Sequence, residues 1–243
     1  MAGILFNRVA FRRPQKAIKL DNNMTKAFSP SAFVKPRFGT AMRIMPLAAM
    51  AFAALFALGS TARAQDAAAV ANELHAGLEH LMANGEAMGL EAASDYIGGV
   101  VDETYDLPAL TAQSIGPASF RSYDDAGKAQ VVAAYREFVI ANYVSRFARK
   151  LPITFKTLGT SPGPKGATVV NTELQRQSGE PVNLDYVVRT PEEGRAGIAD
   201  VLYNGVSEAA RRRSELSSLA RLGAEPLADA LSRKASTIAA TQQ

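Results

Sequence analysis

Across residues 153–207 apolar and polar positions alternate in short, β-branched runs separated by turn residues. Four consecutive strands are predicted: residues 153–158, 167–176, 182–189 and 196–203. A Gly/Pro-rich loop over residues 159–166 and tighter turns at 178–181 and 190–194 join them into an antiparallel meander. In the third strand Val182, Leu184, Tyr186 and Val188 alternate with Asn183, Asp185, Val187 and Arg189, so one face is apolar and the other mostly polar. In the second strand Val170 and Leu174 share a face with Thr168 and Thr172. A sheet with one apolar face needs a cover, and the helices on either side must supply it.

Outside this stretch the period changes to threes and fours. Residues 65–83 put Val70, Leu74, Leu78 and Leu81 on one helical face. Residues 90–103 read as a second helix, weakened by Gly98-Gly99. Asp106 can cap a short helix that has Pro108 in its first turn and runs to about Ile115. The strongest helix spans residues 124–150, with Ser122 or Asp124 as its cap and Pro152 as its stop. Its residues Val131, Tyr135, Phe138, Val139, Tyr143 and Phe147 form one apolar, aromatic stripe, which makes it the expected cover for the sheet. Helices over residues 207–222 and 225–237 complete the pattern, the first ended by Gly223. The fold class expected is α+β: a twisted four-stranded antiparallel sheet covered by several helices.

The first 64 residues stand apart. Met45 begins an apolar run of 14 residues that ends at Leu58, with Arg43 before it and Ala62-Arg63-Ala64 after it. A basic flank, a short apolar segment and an A-x-A site are the parts of a cleavable export signal. A membrane span would need about 20 apolar residues. Cleavage after Ala64 is expected, which divides the chain into residues 1–64, an upstream extension and signal peptide, and residues 65–243, one domain. Residues 1–41 carry eight Lys/Arg against Asp21 alone, and Met42 would start a signal of ordinary length. This division changes the charge argument. The whole chain is +4, but residues 65–243 hold 17 basic and 22 acidic residues, a net −5. The basic character belongs to the segment removed, so nucleic-acid binding loses its compositional support. The absence of cysteine rules out disulfides, thiolate metal sites and a cysteine nucleophile.

Candidate chemistry is sparse. Both histidines, His75 and His80, lie on the first helix, five residues apart and so about 140° apart around its axis. They cannot share a metal as i, i+4 histidines do, and they read as solvated or partly packed. No P-loop or G-x-G-x-x-G sequence is present. Gly159-Thr160-Ser161-Pro162-Gly163 has the letters of G-x-S-x-G but falls in the Gly/Pro loop between two strands, not on the strand-to-helix turn that motif requires. The acidic pairs Asp124-Asp125 and Glu192-Glu193 sit at a helix start and in a turn, where such pairs are solvated. Arg211-Arg212-Arg213 spread over about 200° of helix, so they cannot all face one ligand. They read as a solvated surface or, functionally, as a contact for a lipid phosphate or an acidic partner. An aromatic stripe by itself is ordinary core.

Between Tyr105 and Lys234 further motifs add information. Tyr105-Asp106 precedes a short helix; Ile115-Gly116 is followed by Phe120; Tyr135-Arg136-Glu137-Phe138-Val139 is followed by Tyr143. Asp200 precedes Gly205-Val206-Ser207 and then Arg213-Ser214-Glu215. Together these resemble the MlaC-like, or toluene-tolerance, family of periplasmic phospholipid-binding proteins. The Gly-Val-Ser set, with its spacing to Asp200 and Arg213, is the most specific part. The family's Trp before that Asp is replaced by Ala196-Gly197-Ile198, and its Phe by Leu216. Residues 207–215 are closer to a hopanoid-associated branch.

The resemblance implies an apolar cavity between sheet and helices that takes the acyl chains of a lipid, phospholipid or hopanoid-like. It implies a periplasmic carrier, monomeric, that exchanges lipid with an inner-membrane ABC transporter complex and an outer-membrane lipoprotein complex and maintains outer-membrane lipid asymmetry. No enzyme activity, cofactor, metal or nucleic acid is implied. On this reading Tyr143, Phe147, Phe155, Val170, Leu174, Leu184, Tyr186 and Val188 are the expected cavity wall, with Phe155 on the same strand face as Ile153. The alternative is a small-molecule hydrolase or isomerase on a cone-shaped α+β fold, or else an interaction protein with a solid core. An enzyme would need a titratable group such as Asp185 or Asp200 in the pocket. Asp185 falls on the polar strand face, and Asp200 reads as a structural hydrogen-bonding residue.

Overall fold

A computed structural model describes residues 48–191 and 194–241, with side chains from residue 63 onward. Residues 1–41, Met42 and the beginning of the apolar run lie outside the described residues. Among the described residues no helix is long and apolar enough to cross a membrane.

The first helix, α1 (Ala48–Met88), is longer at both ends than the expected residues 65–83. Its buried stripe is Ala67, Ala71, Leu74, Leu78 and Leu81. α2 (Leu90–Thr104) follows; its last carbonyls, at Asp102 and Glu103, accept hydrogen bonds from the Arg195 guanidinium. Gly98 serves packing rather than weakening the helix: a Cβ there would stand 3.0 Å from Arg136 Nη2 and 3.3 Å from Ile140 of α5. Arg136 also holds Asp102 with two hydrogen bonds of 2.6 Å, tying α2 to α5. Asp106 caps α3 (Leu107–Ile115) by accepting from the Ala109 amide at 3.0 Å. A further short helix, α4 (Pro117–Ser122), was not foreseen; Pro117 in its first turn is its sequence signal. Asp124 caps α5 (Asp125–Phe147), accepting from the Gly127 amide at 2.7 Å.

The sheet runs β1 (Ile153–Pro162), β2 (Thr168–Arg176), β3 (Val182–Arg189), β4 (Gly197–Tyr203) and β5 (Val206–Ser207) in sequential order, all neighbours antiparallel. The predicted meander is there, with two corrections. β1 continues four residues beyond the expected Leu158 by absorbing an irregularity between Thr157 and Gly159, so the loop shrinks to a single 3₁₀ turn, Pro164–Gly166. A fifth, two-residue strand folds back on β4 because Asn204 and Gly205 adopt left-handed φ of 49° and 78°, the geometry of a tight hairpin turn. The chain ends with α6 (Glu208–Ala220) and α7 (Ala224–Ala240).

The expected cover is also corrected. α5 packs chiefly on α7 and α2, while α1 lies across β1 to β4 and α3 and α6 cover β4. The α1 stripe is alanine and leucine, short enough for close approach to the sheet. The α5 stripe is tyrosine and phenylalanine, whose rings hold its backbone away.

Candidate functional site

A cavity of about 160 Å³, partly open to solvent, occupies the space that α5 leaves between itself and the sheet. One wall is the α5 stripe: Tyr135, Phe138, Val139, Tyr143 and Phe147. The facing wall is Leu184 and Tyr186 of β3 with Val201 and Tyr203 of β4; Leu78, Tyr105 and Leu110 complete the lining. Asn142, Arg146, Glu208 and Arg212 are the polar lining residues besides the phenols.

The phenols form an ordered set. Tyr135 donates to Ser114 Oγ at 2.8 Å. Tyr186 meets His75 Nε2 at 3.1 Å, and the hydroxyls of Tyr105 and Tyr143 bond to each other. Burial pushes Tyr105 and Tyr186 well above the usual phenol range and Tyr143 up to about 12. A phenolate in this apolar space would lose its hydration, so all three stay neutral at pH 7. His75 stands behind the wall. Its ring stacks on Phe155 at 4.5 Å between centroids, and burial lowers its pKa to about 4, so the imidazole is neutral. His80 is exposed and lies beside Tyr96. The two histidines point apart as their spacing required, but His75 is buried rather than solvated.

The triple-arginine segment divides. Arg211 bonds Glu208 at 2.6 Å on the exposed surface. Arg212 lines the cavity, with its guanidinium carbon 4.9 Å from the Phe138 ring centroid and a 3.1 Å bond to Glu215. Arg213 is exposed.

Of the eight residues predicted for the wall, the cavity brings together Tyr143, Phe147, Leu184 and Tyr186. Phe155 faces inward as expected but sits one layer back, against His75 and 6.3 Å from Phe147. Val170 and Val188 are fully buried in packed core, because α1 and β4 close over that end of the sheet. Leu174 is half-buried, paired with Phe155 and Val182 outside the cavity lining. Tyr135, Phe138 and Val139 belong to the stripe visible in the sequence and could have been chosen from it. Tyr105, Leu78 and Leu110 come from three other segments, and nothing in local spacing joins them.

Asp200 is structural, as its place in the motif suggested. Its carboxylate accepts from the amides of Val201 (2.8 Å) and Ala209 (3.0 Å) and from Ser207 Oγ (2.6 Å). Ser207 Oγ in turn caps α6 by accepting from the Ala210 amide at 2.9 Å. The Gly-Val-Ser motif is thus a clasp between β4 and α6. Asp185 accepts from the Thr172 amide at 3.0 Å and does not line the cavity.

A sequence model described as MlaC protein matches residues 78–233. The chain belongs to the MlaC family. Among solved structures, the phospholipid-binding protein of Ralstonia solanacearum, in complex with a phospholipid, superposes with a TM-score of 0.60 at 16% identity. The match covers 73% of this chain and 98% of that one, so the two share a fold. Among curated proteins none matches the chain. The MlaC match begins at Leu78, a cavity residue on α1, and ends on α7, so it includes every element that walls the cavity.

Proposed function

We propose that this MlaC-family chain is a lipid carrier that takes acyl chains into the cavity between α5 and the sheet. The observation that carries the reading is the aromatic α5 face held off the apolar face of β3 and β4, leaving a cavity between them. An acyl chain in water costs about 0.8 kcal/mol per CH₂, and a carrier lowers that cost by shielding rather than by chemistry. Of the acids an enzyme reading could use, Asp185 and Asp200 are engaged in backbone hydrogen bonds and do not line the cavity, and Glu208, which does, is paired with Arg211. The related Ralstonia solanacearum structure holds a phospholipid; here the ligand is a phospholipid or a hopanoid-like lipid. The carrier works in the periplasm as a monomer, begins at Gln65 after removal of residues 1–64, and passes lipid between an outer-membrane lipoprotein complex and an inner-membrane ABC transporter complex.

The test is lipid extraction and mass spectrometry of purified protein, followed by transfer of labelled phospholipid between vesicles. Bound lipid and accelerated transfer are expected, with at least a tenfold loss in Leu184→Asp, which puts a charge in the wall. Protein that copurifies without lipid and leaves transfer at its spontaneous rate would refute the reading.

A further inference from the structure

The Tyr105–Tyr143 pair in the cavity leaves one hydroxyl proton without a protein acceptor. Tyr135 gives its proton to Ser114 Oγ. Tyr186 donates to His75 Nε2 or accepts from it, depending on the imidazole tautomer. Tyr105 and Tyr143 hold two hydroxyl protons between them but make one hydrogen bond, to each other. One of the two protons is consumed by that bond. The other has no acceptor among the described residues. Tyr105 is only 4% exposed, Tyr143 is half-buried, and both line the partly open cavity, so the acceptor for this proton must come from whatever occupies the cavity. A buried donor without an acceptor is costly and rare, and in a binding cavity it marks where a ligand acceptor belongs.

We propose that the Tyr105–Tyr143 pair is a polar subsite inside the apolar cavity that donates a hydrogen bond to an ester carbonyl of the bound lipid. The inference rests on the carrier reading and adds to it which atom of the ligand is recognised. A carbonyl oxygen fits the pair because it accepts and brings no proton of its own. A purely hydrocarbon ligand, or one whose chains are joined by ether links, leaves the proton orphaned. The subsite therefore selects acyl esters, and it fixes how far the ligand enters, since the carbonyl must stop at the hydroxyl pair.

The experiment compares ester-linked dipalmitoyl phosphatidylglycerol with its ether-linked dihexadecyl counterpart, the same head group and chain length without carbonyls. Affinities are measured by displacement of a fluorescent fatty acid from delipidated protein. Wild type should bind the ester about three- to tenfold more tightly, the worth of one buried hydrogen bond. In Tyr105→Phe/Tyr143→Phe both hydroxyls are gone, and the ratio of ester to ether affinity should fall to about one. Single variants are uninformative by design, because the remaining hydroxyl keeps its own proton free. Removing both partners of a buried pair is close to neutral for folding, and the wild-type comparison stands without any variant. Equal affinity of wild type for the two lipids, or an ester preference that survives in the double variant, would overturn the subsite while leaving the carrier intact. Failure to bind either lipid would overturn the carrier reading and the subsite with it.

Discussion

Leu184 and Val188 sit four residues apart on β3, yet one faces the cavity and the other is sealed in core at 0% exposure. Val188→Ala should cost about 2 kcal/mol in both empty and lipid-loaded protein, since it removes packed methyls in each. Leu184→Ala should cost the empty protein less than the ~2–5 kcal/mol of a packed leucine, because fewer contacts are lost. It should cost the loaded protein more, because weaker lipid binding reduces the stabilisation by mass action. Denaturant unfolding of both forms checks this; equal losses at Leu184 would put it in ordinary core. Alternation along β3 assigned both residues to the same face and could not separate them, since the difference arises from what α1 and α5 bring to opposite ends of the strand.

His75 carries a second prediction at this scale. Its folded pKa of about 4 lies below the ordinary 6.5. Between those values the unfolded chain takes up a proton that the native one refuses. The native state is therefore fully favoured above pH 6.5 and loses stability as pH falls towards 4, by about 2–3 kcal/mol at pH 4.5. His75→Phe keeps a ring against Phe155 and removes this titration. Between pH 7 and 4.5, urea unfolding should show wild type losing about that much more than the variant. A parallel decline in the two would show that carboxylates alone set the acid sensitivity. The bond of His75 to Tyr186, 111 positions away, had no local sequence signal.

At the scale of elements, capping and turn chemistry were the most legible. Asp106 and Asp124 cap as their positions before Pro108 and the long apolar stripe required. The third strand ends where Pro181 and Thr190 place it. The assignment of cover failed because periodicity reports how apolar a helix face is and not how near its backbone can come. The clasp between β4 and α6 is the element-level feature most open to test. Ser207→Ala removes the α6 cap and should cost about 1 kcal/mol. Asp200→Ala leaves the amides of Val201 and Ala209 without their acceptor and frees Ser207 Oγ, so about 3 kcal/mol is expected. Chemical denaturation should rank the two in that order. A larger loss for Ser207→Ala would mean that the carboxylate is not the centre of the clasp.

For the whole molecule, the size of the cavity decides what lipid binding demands. About 160 Å³ is close to the space that holds one benzene in an engineered protein cavity, and an acyl chain of a membrane lipid is several times larger. The walls must therefore separate on loading. β1 to β4 are locked together and to α1, and α5 is locked to α7 and α2. Across the cavity itself the contact is ring against ring and phenol against phenol, as between Phe147 and Phe155 and between Tyr143 and Tyr105. Opening there leaves the strand ladders and the α5–α7 pair intact. The chain has no cysteine, so two introduced thiols can be labelled cleanly. Ala133 on α5 and Asn183 on β3 are exposed, and neither side chain belongs to the cavity lining. Spin labels at Ala133→Cys and Asn183→Cys should report a longer separation in lipid-loaded than in delipidated protein. A second pair confined to the sheet, Lys156→Cys and Asn183→Cys, should not change. A label distance across the seam that stays the same on loading, in protein shown by mass spectrometry to hold lipid, would mean that the chains lie elsewhere than between α5 and β3.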